Sequence, residues 1–165
     1  KPVPGLPIHA KDPWTINLFV RTDQPLENRT IIAGFGRAED TSSGIGRYLC
    51  KFGRGLHFWA SNRDVDAKDA PLDVGRWQML SATYDGQMLR LYKNGIAVGE
   101  DNIALSDDQA TVRIAPIDPW DRQRQFKGEI RSMTIWATTL SPDAIRVLLG
   151  SGPKIESPTT AEASP

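Results

Sequence analysis

Two tryptophans stand where the sequence predicts solvent rather than core. Proteins bind sugars with aromatic side chains that lie against the sugar ring and with polar side chains that hydrogen-bond to its hydroxyl groups. Trp59 is out of phase with the apolar residues of its segment, so we expect it to face away from the core, beside His57. Trp120 lies in a loop between prolines and acids. The alternative is that each tryptophan only covers an edge of the sandwich or packs under a loop. The predicted ligand-binding residues are Trp59, Trp120, Arg47, His57, Asn62 and Arg63.

Acidic side chains are concentrated in residues 62–73, 100–108 and 118–121. Calcium takes about six to eight oxygen ligands from carboxylates, amides and carbonyls. None of the three segments matches the spaced loop of an EF-hand, and acidic loop residues also serve as solvated turn formers. The first candidates for a structural calcium site are Asp64, Asp66 and Asp118.

Paired carboxylates for glycan cleavage are not evident. A retaining glycosidase needs two carboxyl groups about 5 Å apart, a separation that alternate residues on one strand face supply. None of the glutamates has a second acid two residues away on a predicted strand. Asp64 and Asp66 have the spacing but are predicted to lie in a loop, and no Gly-x-Ser-x-Gly occurs. The sequence therefore predicts no catalytic residues.

The cysteine count and the net charge exclude further classes of protein. Cys50 is the only cysteine, which excludes a disulfide framework, and we expect it to be a buried and inert thiol. Twenty basic and twenty acidic residues cancel, whereas a domain that binds nucleic acid through phosphates carries a basic excess. No apolar run approaches the roughly 20 residues that span a bilayer. We therefore expect neither nucleic acid nor membrane as a partner.

The elements that must position these residues are predicted to be strands. Asp85-Gly86 and Asn94-Gly95 are hairpin signals, and Ser141 followed by Pro142 predicts the start of one short helix. Turn signals recur about every ten residues, as in a sandwich or barrel. Alternation of apolar residues predicts strands at residues 15–20, 30–35, 46–52, 55–60, 77–84, 88–93, 96–99, 111–115 and 126–136. Around this domain of residues 12–150, we expect residues 1–11 to be a proline-rich leader and residues 151–165 a flexible tail or linker.

Two motifs carry a family resemblance. The first runs from Gly75-Arg76-Trp77 through Tyr84-Asp85-Gly86 to Asn94-Gly95, and the second from Phe126-Lys127-Gly128 to Ile135-Trp136. In this order they resemble the laminin-G-like, concanavalin A-like lectin/glucanase jelly-roll modules that are common in secreted bacterial proteins.

The resemblance spans roughly residues 12–149. It implies an all-β, antiparallel two-sheet β-sandwich (a concanavalin-like jelly roll) with one short C-terminal helix. It also implies core positions for Trp14, Trp77 and Trp136, and a structural calcium as in many relatives. Arg131 departs from the family pattern, because an acidic residue is usual at its position.

Together these observations favour a non-catalytic accessory module of a larger secreted or periplasmic protein. We expect it to bind carbohydrate and to keep a covalently linked catalytic domain near its substrate. One alternative is a structural or protein-interaction module without a small ligand. The other is a glycan-active enzyme of the same fold.

Overall fold

The computed structural model describes residues 5–36, 45–106, 111–118 and 121–155. In these ranges the chain forms strands in two sheets, followed by a short helix. The strands are β1 (Trp14–Arg21), β2 (Thr30–Gly36), β3 (Gly46–Phe52), β4 (Gly55–Trp59), β5 (Val65–Pro71), β6 (Gln78–Tyr84), β7 (Met88–Lys93), β8 (Ile96–Asn102), β9 (Val112–Ile114) and β10 (Glu129–Trp136), and the helix is α1 (Pro142–Leu148).

The two sheets have five strands each. Sheet A has the order β10-β1-β6-β7-β8, and sheet B has the order β5-β4-β3-β2-β9. All strand pairs are antiparallel. The sheets pack face to face as a β-sandwich, which confirms the predicted fold class, including its short C-terminal helix.

The core between the sheets is centred on Trp14, which is fully buried. Its ring lies 5.4 Å from the ring of Phe35 in an edge-to-face contact, and 5.8 Å from the rings of both Phe58 and Tyr84. Such aromatic pairs contribute about 0.5–1.5 kcal/mol each beyond the burial of their area. Because Trp14 and Tyr84 come from sheet A and Phe35 and Phe58 from sheet B, these contacts join the two sheets.

The predicted hairpins are present. Gly86 has φ 98°, Asn94 has φ 50° and Gly95 has φ 77°, the backbone region that tight turns require and that glycine and asparagine tolerate. The Asp85 carboxylate accepts hydrogen bonds from the backbone N–H groups of Gln87 and Met88 (3.1 and 2.7 Å), which stabilises the turn between β6 and β7.

Helix α1 lies against the outer face of sheet A. Its cap is the one predicted from the sequence, with the Ser141 hydroxyl accepting a hydrogen bond from the backbone N–H of Ala144 (3.2 Å). The helix contributes Ile145 to a buried apolar group whose other members, Phe19, Met79 and Tyr92, come from sheet A. We call this group the helix-side cluster. Trp77 packs against this cluster and not within the core between the sheets, which corrects the core position that the resemblance implied for it.

Two further predictions need correction or refinement, and the bounds of the predicted leader stay untested. Residues 65–71 form strand β5, whereas the sequence predicted an acidic loop there. The strand exists because it pairs with β4 and buries Val65, Ala67 and Ala70 in the core. The predicted leader is anchored at Ile8, which is buried in the same core. Trp136, at the end of the outer strand β10, is only half-buried.

Candidate functional site

The outer face of sheet B carries aromatic residues and lies on the side of the sandwich opposite to α1. Alternation along β3 and β4 points Leu49, Leu56 and Phe58 into the core and leaves the residues between them outside. The outward set is a small apolar cluster of Ile31, Tyr48 and Cys50 with Trp59 packed against it. The rings of Tyr48 and Trp59 are 5.8 Å apart. Trp59 is half-buried and faces outward beside His57, as the alternation predicts.

A cleft of about 620 Å³ opens on this face. Its apolar side is formed by Ile31, Cys50, Phe52 and Trp59. The polar side chains that line it are Arg29, His57, Ser61, Asn62, Asp64, Asp66, Asp118 and Arg124. We refer to this hollow as the sheet B cleft. It brings together the predicted residues Trp59, His57, Asn62, Asp64, Asp66 and Asp118.

His57 is held in the cleft wall by two carboxylates. It lies directly across from Asp66 in the register between β4 and β5, and its Nδ1 is 2.7 Å from Asp66 Oδ1. Its Nε2 is 3.7 Å from Asp64 Oδ2, while Asp64 Oδ1 accepts a hydrogen bond from the backbone N–H of Ala60 (2.8 Å). The imidazole is therefore fixed in orientation, with only 7% of the side chain exposed.

The two carboxylates also set the charge of His57. Burial on its own lowers the pKa of the imidazole, but the hydrogen bonds and charges of Asp64 and Asp66 outweigh it, so the pKa lies above the ordinary value of 6.5. Cys50, directly across from His57 in the β3–β4 register, behaves differently. Burial, with a smaller contribution from the charge of Asp64, raises the pKa of its thiol well above the usual range. The thiol is therefore protonated, as expected for an inert cysteine.

The segment after β9 closes one side of the cleft. Asp118 is buried, and its Oδ1 accepts hydrogen bonds from the backbone N–H of Asp121 (2.8 Å) and from Nη2 of Arg124 (3.2 Å). Nε of Arg124 also lies 3.5 Å from the carboxylate of Asp121. The predicted ligand residue Trp120 belongs to this segment but lies outside the described residues.

Two turns supply polar residues at the rim. Ser61 (φ 51°) and Asn62 (φ 69°) form the left-handed turn between β4 and β5, and Asn62 lines the cleft, whereas the exposed Arg63 does not. Arg29 (φ 67°) precedes β2, and its guanidinium lies 5.7 Å from the ring centroid of Phe52. The Phe52 ring in turn lies 5.0 Å from that of His57.

Arg47 is placed away from the cleft. It is fully buried, and its guanidinium lies over the ring of Phe35 at 5.2 Å, on the core side of sheet B. The same alternation that turns Tyr48 outward turns Arg47 inward. The sequence interpretation had instead missed Arg29, Phe52, Ser61 and Arg124 as cleft residues. The sequence pattern places Phe52 on the same side of its strand as Tyr48 and Cys50, but it does not show that this side faces outward.

The three carboxylates predicted to bind calcium line the same cleft, but each already has a partner. Asp66 is bound to His57, Asp64 to the backbone N–H of Ala60, and Asp118 to Arg124. Within the described ranges, no group of three or more His, Cys, Asp or Glu side chains is arranged to hold a metal ion. A calcium ion at these carboxylates would have to displace their present partners, and the calcium site expected from the sequence stays untested.

Two five-stranded antiparallel sheets, with one outer face capped and the other open, place the chain among the jelly-roll sandwiches. The chain belongs to the concanavalin A-like lectin/glucanases superfamily, whose family model Laminin_G_3 matches residues 3–146. This confirms the resemblance seen in the sequence motifs. No curated protein matches the chain in sequence.

Solved structures show the same fold at low sequence identity. Domain 4 of AbnA, a GH43 extracellular arabinanase from Geobacillus stearothermophilus, in complex with arabinotriose, has a TM-score of 0.62 and 16% identity over 89% of this chain and 70% of that chain. A SAP-like pentraxin from Limulus polyphemus has a TM-score of 0.62 and 15% identity over 88% of this chain and 76% of that chain. The binding domain of botulinum neurotoxin DC, in complex with SialylT, has a TM-score of 0.58 and 15% identity over 86% of this chain and 36% of that chain.

Binding and lectin-type domains predominate in this family and among these neighbours. A binding module is therefore consistent with the fold, although identities this low establish the fold alone. In the part of the chain that the structure describes, none of the helices is long and apolar enough to cross a membrane.

Proposed function

We propose that this chain is a non-catalytic carbohydrate-binding module whose ligand lies in the sheet B cleft. The observation that carries the proposal is the placement of Trp59 and Phe52 beside His57, Asp64 and Asp66 in one open cleft. Ligand sites are typically hollows of about 300–1,000 Å³ with an apolar wall and a few convergent polar groups. The sheet B cleft, at about 620 Å³, has both.

The chemistry of the two walls suits a sugar. The C–H face of a sugar ring is apolar and packs against an aromatic side chain, whereas its hydroxyl groups are hydrogen-bond donors and acceptors. Carboxylate oxygens of Asp64 and Asp66 accept from hydroxyls, and Asn62 both donates and accepts. Because β4 and β5 fix His57 and its two aspartates, little side-chain freedom would be lost on binding.

A non-catalytic role is favoured by how the carboxylates are used. Acid–base cleavage of a glycosidic bond requires one carboxyl group that donates a proton and a second that acts as base or nucleophile. Asp64 and Asp66 instead accept hydrogen bonds from a backbone N–H and from His57, and Asp118 is bound to Arg124. We therefore assign these residues to positioning and recognition.

The structural neighbours support an accessory role outside the cell. Domain 4 of the extracellular arabinanase is one part of a larger enzyme and was solved with arabinotriose. By analogy, we propose that this chain is attached to a catalytic domain in a secreted or periplasmic protein, and that it holds this domain near a glycan.

A glycan array followed by calorimetric titration with the best ligand tests the proposal. Trp59→Ala should weaken binding by roughly tenfold or more, the usual loss when a central aromatic anchor is truncated. Trp59→Phe, which keeps a ring in the same place, should retain most of the affinity. Trp120→Ala, measured beside them, tests the second predicted tryptophan.

Three results would overturn the proposal. Absence of glycan binding would leave a structural or protein-interaction module. Unchanged affinity in Trp59→Ala would move any glycan site away from the sheet B cleft. Release of reducing ends from a bound glycan by the purified protein would make it an enzyme.

A further inference from the structure

Two of the three cations that line the sheet B cleft, Arg124 and His57, are already engaged by the protein's own carboxylates. Arg124 binds Asp118 through Nη2 and lies beside Asp121 through Nε (3.2 and 3.5 Å). His57 is held between Asp64 and Asp66 and is only 7% exposed. The exposed charge at this part of the wall is therefore carboxylate, with 32% of the Asp64 side chain and 40% of the Asp66 side chain accessible to solvent.

Arg29 is the remaining cation among the described residues that line the cleft. Its guanidinium lies over the Phe52 ring at the rim. Counted together, Arg29, Arg124 and protonated His57 face three carboxylates, so the charges of the lining cancel. When His57 is neutral, one negative charge is in excess. In neither state does the lining hold the surplus positive charge that recognition of an anion requires.

A second hollow adjoins the cleft and is more strongly acidic. It has a volume of about 470 Å³ and lies where β5, at the edge of sheet B, meets β8, at the edge of sheet A. Asp64 and Asp66 line both hollows, so the two lie side by side. The other charged residues of the second hollow are Lys68, Asp69, Glu100 and Asp101. A ligand that approaches over this edge therefore passes a surface on which carboxylates predominate.

Given a glycan ligand in the sheet B cleft, as proposed above, we infer that the cleft selects uncharged glycans and discriminates against acidic ones. Hydroxyl groups donate to the exposed carboxylates, so a neutral sugar loses little when it leaves water. A uronate, sialyl or sulfate group beside Asp64 and Asp66 would give up its hydration without gaining a cation there, because His57 is already held by these two aspartates and Arg29 lies over Phe52 at the rim. Selectivity is thus set by the same two aspartates that orient His57.

Matched pairs of glycans test this inference. Each pair consists of a neutral oligosaccharide and its uronic acid counterpart, for example galactotriose and trigalacturonate, so that only the C6 groups differ. We expect the neutral member to bind more tightly by roughly fivefold per acidic group near the carboxylates, the effect of about one unit-charge repulsion at short range in water. The preference should shrink as salt rises from about 0.01 M, where the Debye length is about 30 Å, to about 1 M, where it is about 3 Å.

A charge-neutralising variant locates the source of the preference. Asp66→Asn should narrow the gap between neutral and acidic glycans, because it removes one exposed negative charge from the cleft. Asp143→Asn is the matched control, since Asp143 is 88% exposed on α1, at the opposite face of the sandwich. This control makes the same change in net charge and should leave the gap unchanged. Should Asp66→Asn fail to fold, the salt series on the unaltered protein still decides the question.

Each outcome bears on one proposal separately. A neutral preference that narrows with salt and with Asp66→Asn supports the inference. An acidic member that binds as tightly as its neutral counterpart, or more tightly, overturns the inference and leaves the proposed function intact. If neither neutral nor acidic glycans bind, the proposed function itself is overturned, and the inference with it. If Asp143→Asn narrows the preference for neutral glycans as much as Asp66→Asn does, the effect comes from the net charge of the protein. That result would overturn the role of the cleft.

Discussion

The two outer faces of the sandwich differ in what covers their apolar residues. On sheet A, the outward residues Phe19, Met79 and Tyr92 are apolar and are buried under Ile145 of α1. On sheet B, the outward residue Trp59 is also large and apolar, but it lies at an open cleft with polar residues beside it. Both faces arise from the same two-residue alternation of a strand.

The difference shows which apolar residues serve stability and which are available for binding. An aromatic residue that a helix covers contributes its buried area to folding. An aromatic residue left at the rim of a cleft contributes less to folding and exposes apolar area, which marks an interaction surface. The substitutions below test this contrast between the covered and the open face.

The largest effect is expected on the covered face. Phe19→Ala should lower the free energy of unfolding by about 3–5 kcal/mol, because it leaves a cavity between sheet A and α1. Urea-induced unfolding measures this change. Val147→Ala is the matched control on the same helix, because Val147 is 76% exposed, and it should change stability by no more than about 0.5 kcal/mol. An equally mild Phe19→Ala would show that the helix does not cover this face in solution.

On the open face of sheet B, we expect a smaller loss of stability and a larger loss of glycan binding. Trp59→Ala removes a half-buried ring that packs on Tyr48 at 5.8 Å, so we expect a loss of about 1–2 kcal/mol, clearly smaller than that of Phe19→Ala. The same variant should lose glycan affinity, whereas Phe19→Ala should retain it while folded. If the two variants lost stability equally, Trp59 would be a core residue and not part of a binding surface.

Much of this contrast could be predicted from the sequence. The phase of Trp59 and His57 against Leu56 and Phe58 is local information, and so are the Ser141 cap and the Asp85-Gly86 turn. The inward position of Arg47 was not available in this way, because Tyr48, Cys50 and Phe52 form the more apolar side of their strand, and that pattern favours the core for them and solvent for Arg47. Arg47 was included for its proximity in sequence, and proximity does not determine which face of a strand a side chain occupies.

Other features could not be predicted from local patterns. Apart from Val65, strand β5 is composed of residues with low strand propensity. Its register with β4 shifts between Gly55 and Leu56, so Ala67 and Ala70 are both buried although they are three residues apart. This irregularity hides the two-residue period. The cleft is assembled from Arg29, Asp66 and the Asp118–Arg124 pair, which come from three distant parts of the chain. The order of strands in sheet B and the course of the segment after β9 bring them together.

A substitution at the N-cap of α1 should give a smaller change in the stability of the covered face. Ser141→Ala removes the acceptor for the backbone N–H of Ala144 and should lower the free energy of unfolding by about 1 kcal/mol. Ser141→Asp keeps an acceptor and should restore stability. Thermal unfolding of both variants measures the effect. A Ser141→Ala protein as stable as the parent would mean that α1 is held by the packing of its apolar residues and not by its cap.

On the open face, His57 predicts a pH dependence of stability. Its pKa in the folded protein lies above 6.5, so the folded state binds more protons than the unfolded chain between the two pKa values. The stabilisation is complete below the unfolded pKa, and it is lost as pH rises through the folded pKa. Urea unfolding from about pH 6 to about pH 8.5, around the ordinary His pKa of about 6.5, measures this loss. His57→Gln should flatten the dependence of stability on pH. If the stability of the parent protein instead rises with pH over this window, Asp64 and Asp66 do not stabilise the protonated imidazole.

The smallest effect is expected from calcium. An ion bound only by the folded state must raise the melting temperature. Asp66 and Asp118, however, already hold His57 and Arg124, and an ion would have to displace these cations. We therefore expect the melting temperature of EDTA-treated protein to stay the same when calcium is added. A rise that Asp64→Asn or Asp66→Asn abolishes would instead establish these residues as calcium ligands. The open face would then hold a metal as well as a ligand cleft, and the contrast with the covered face would be sharper still.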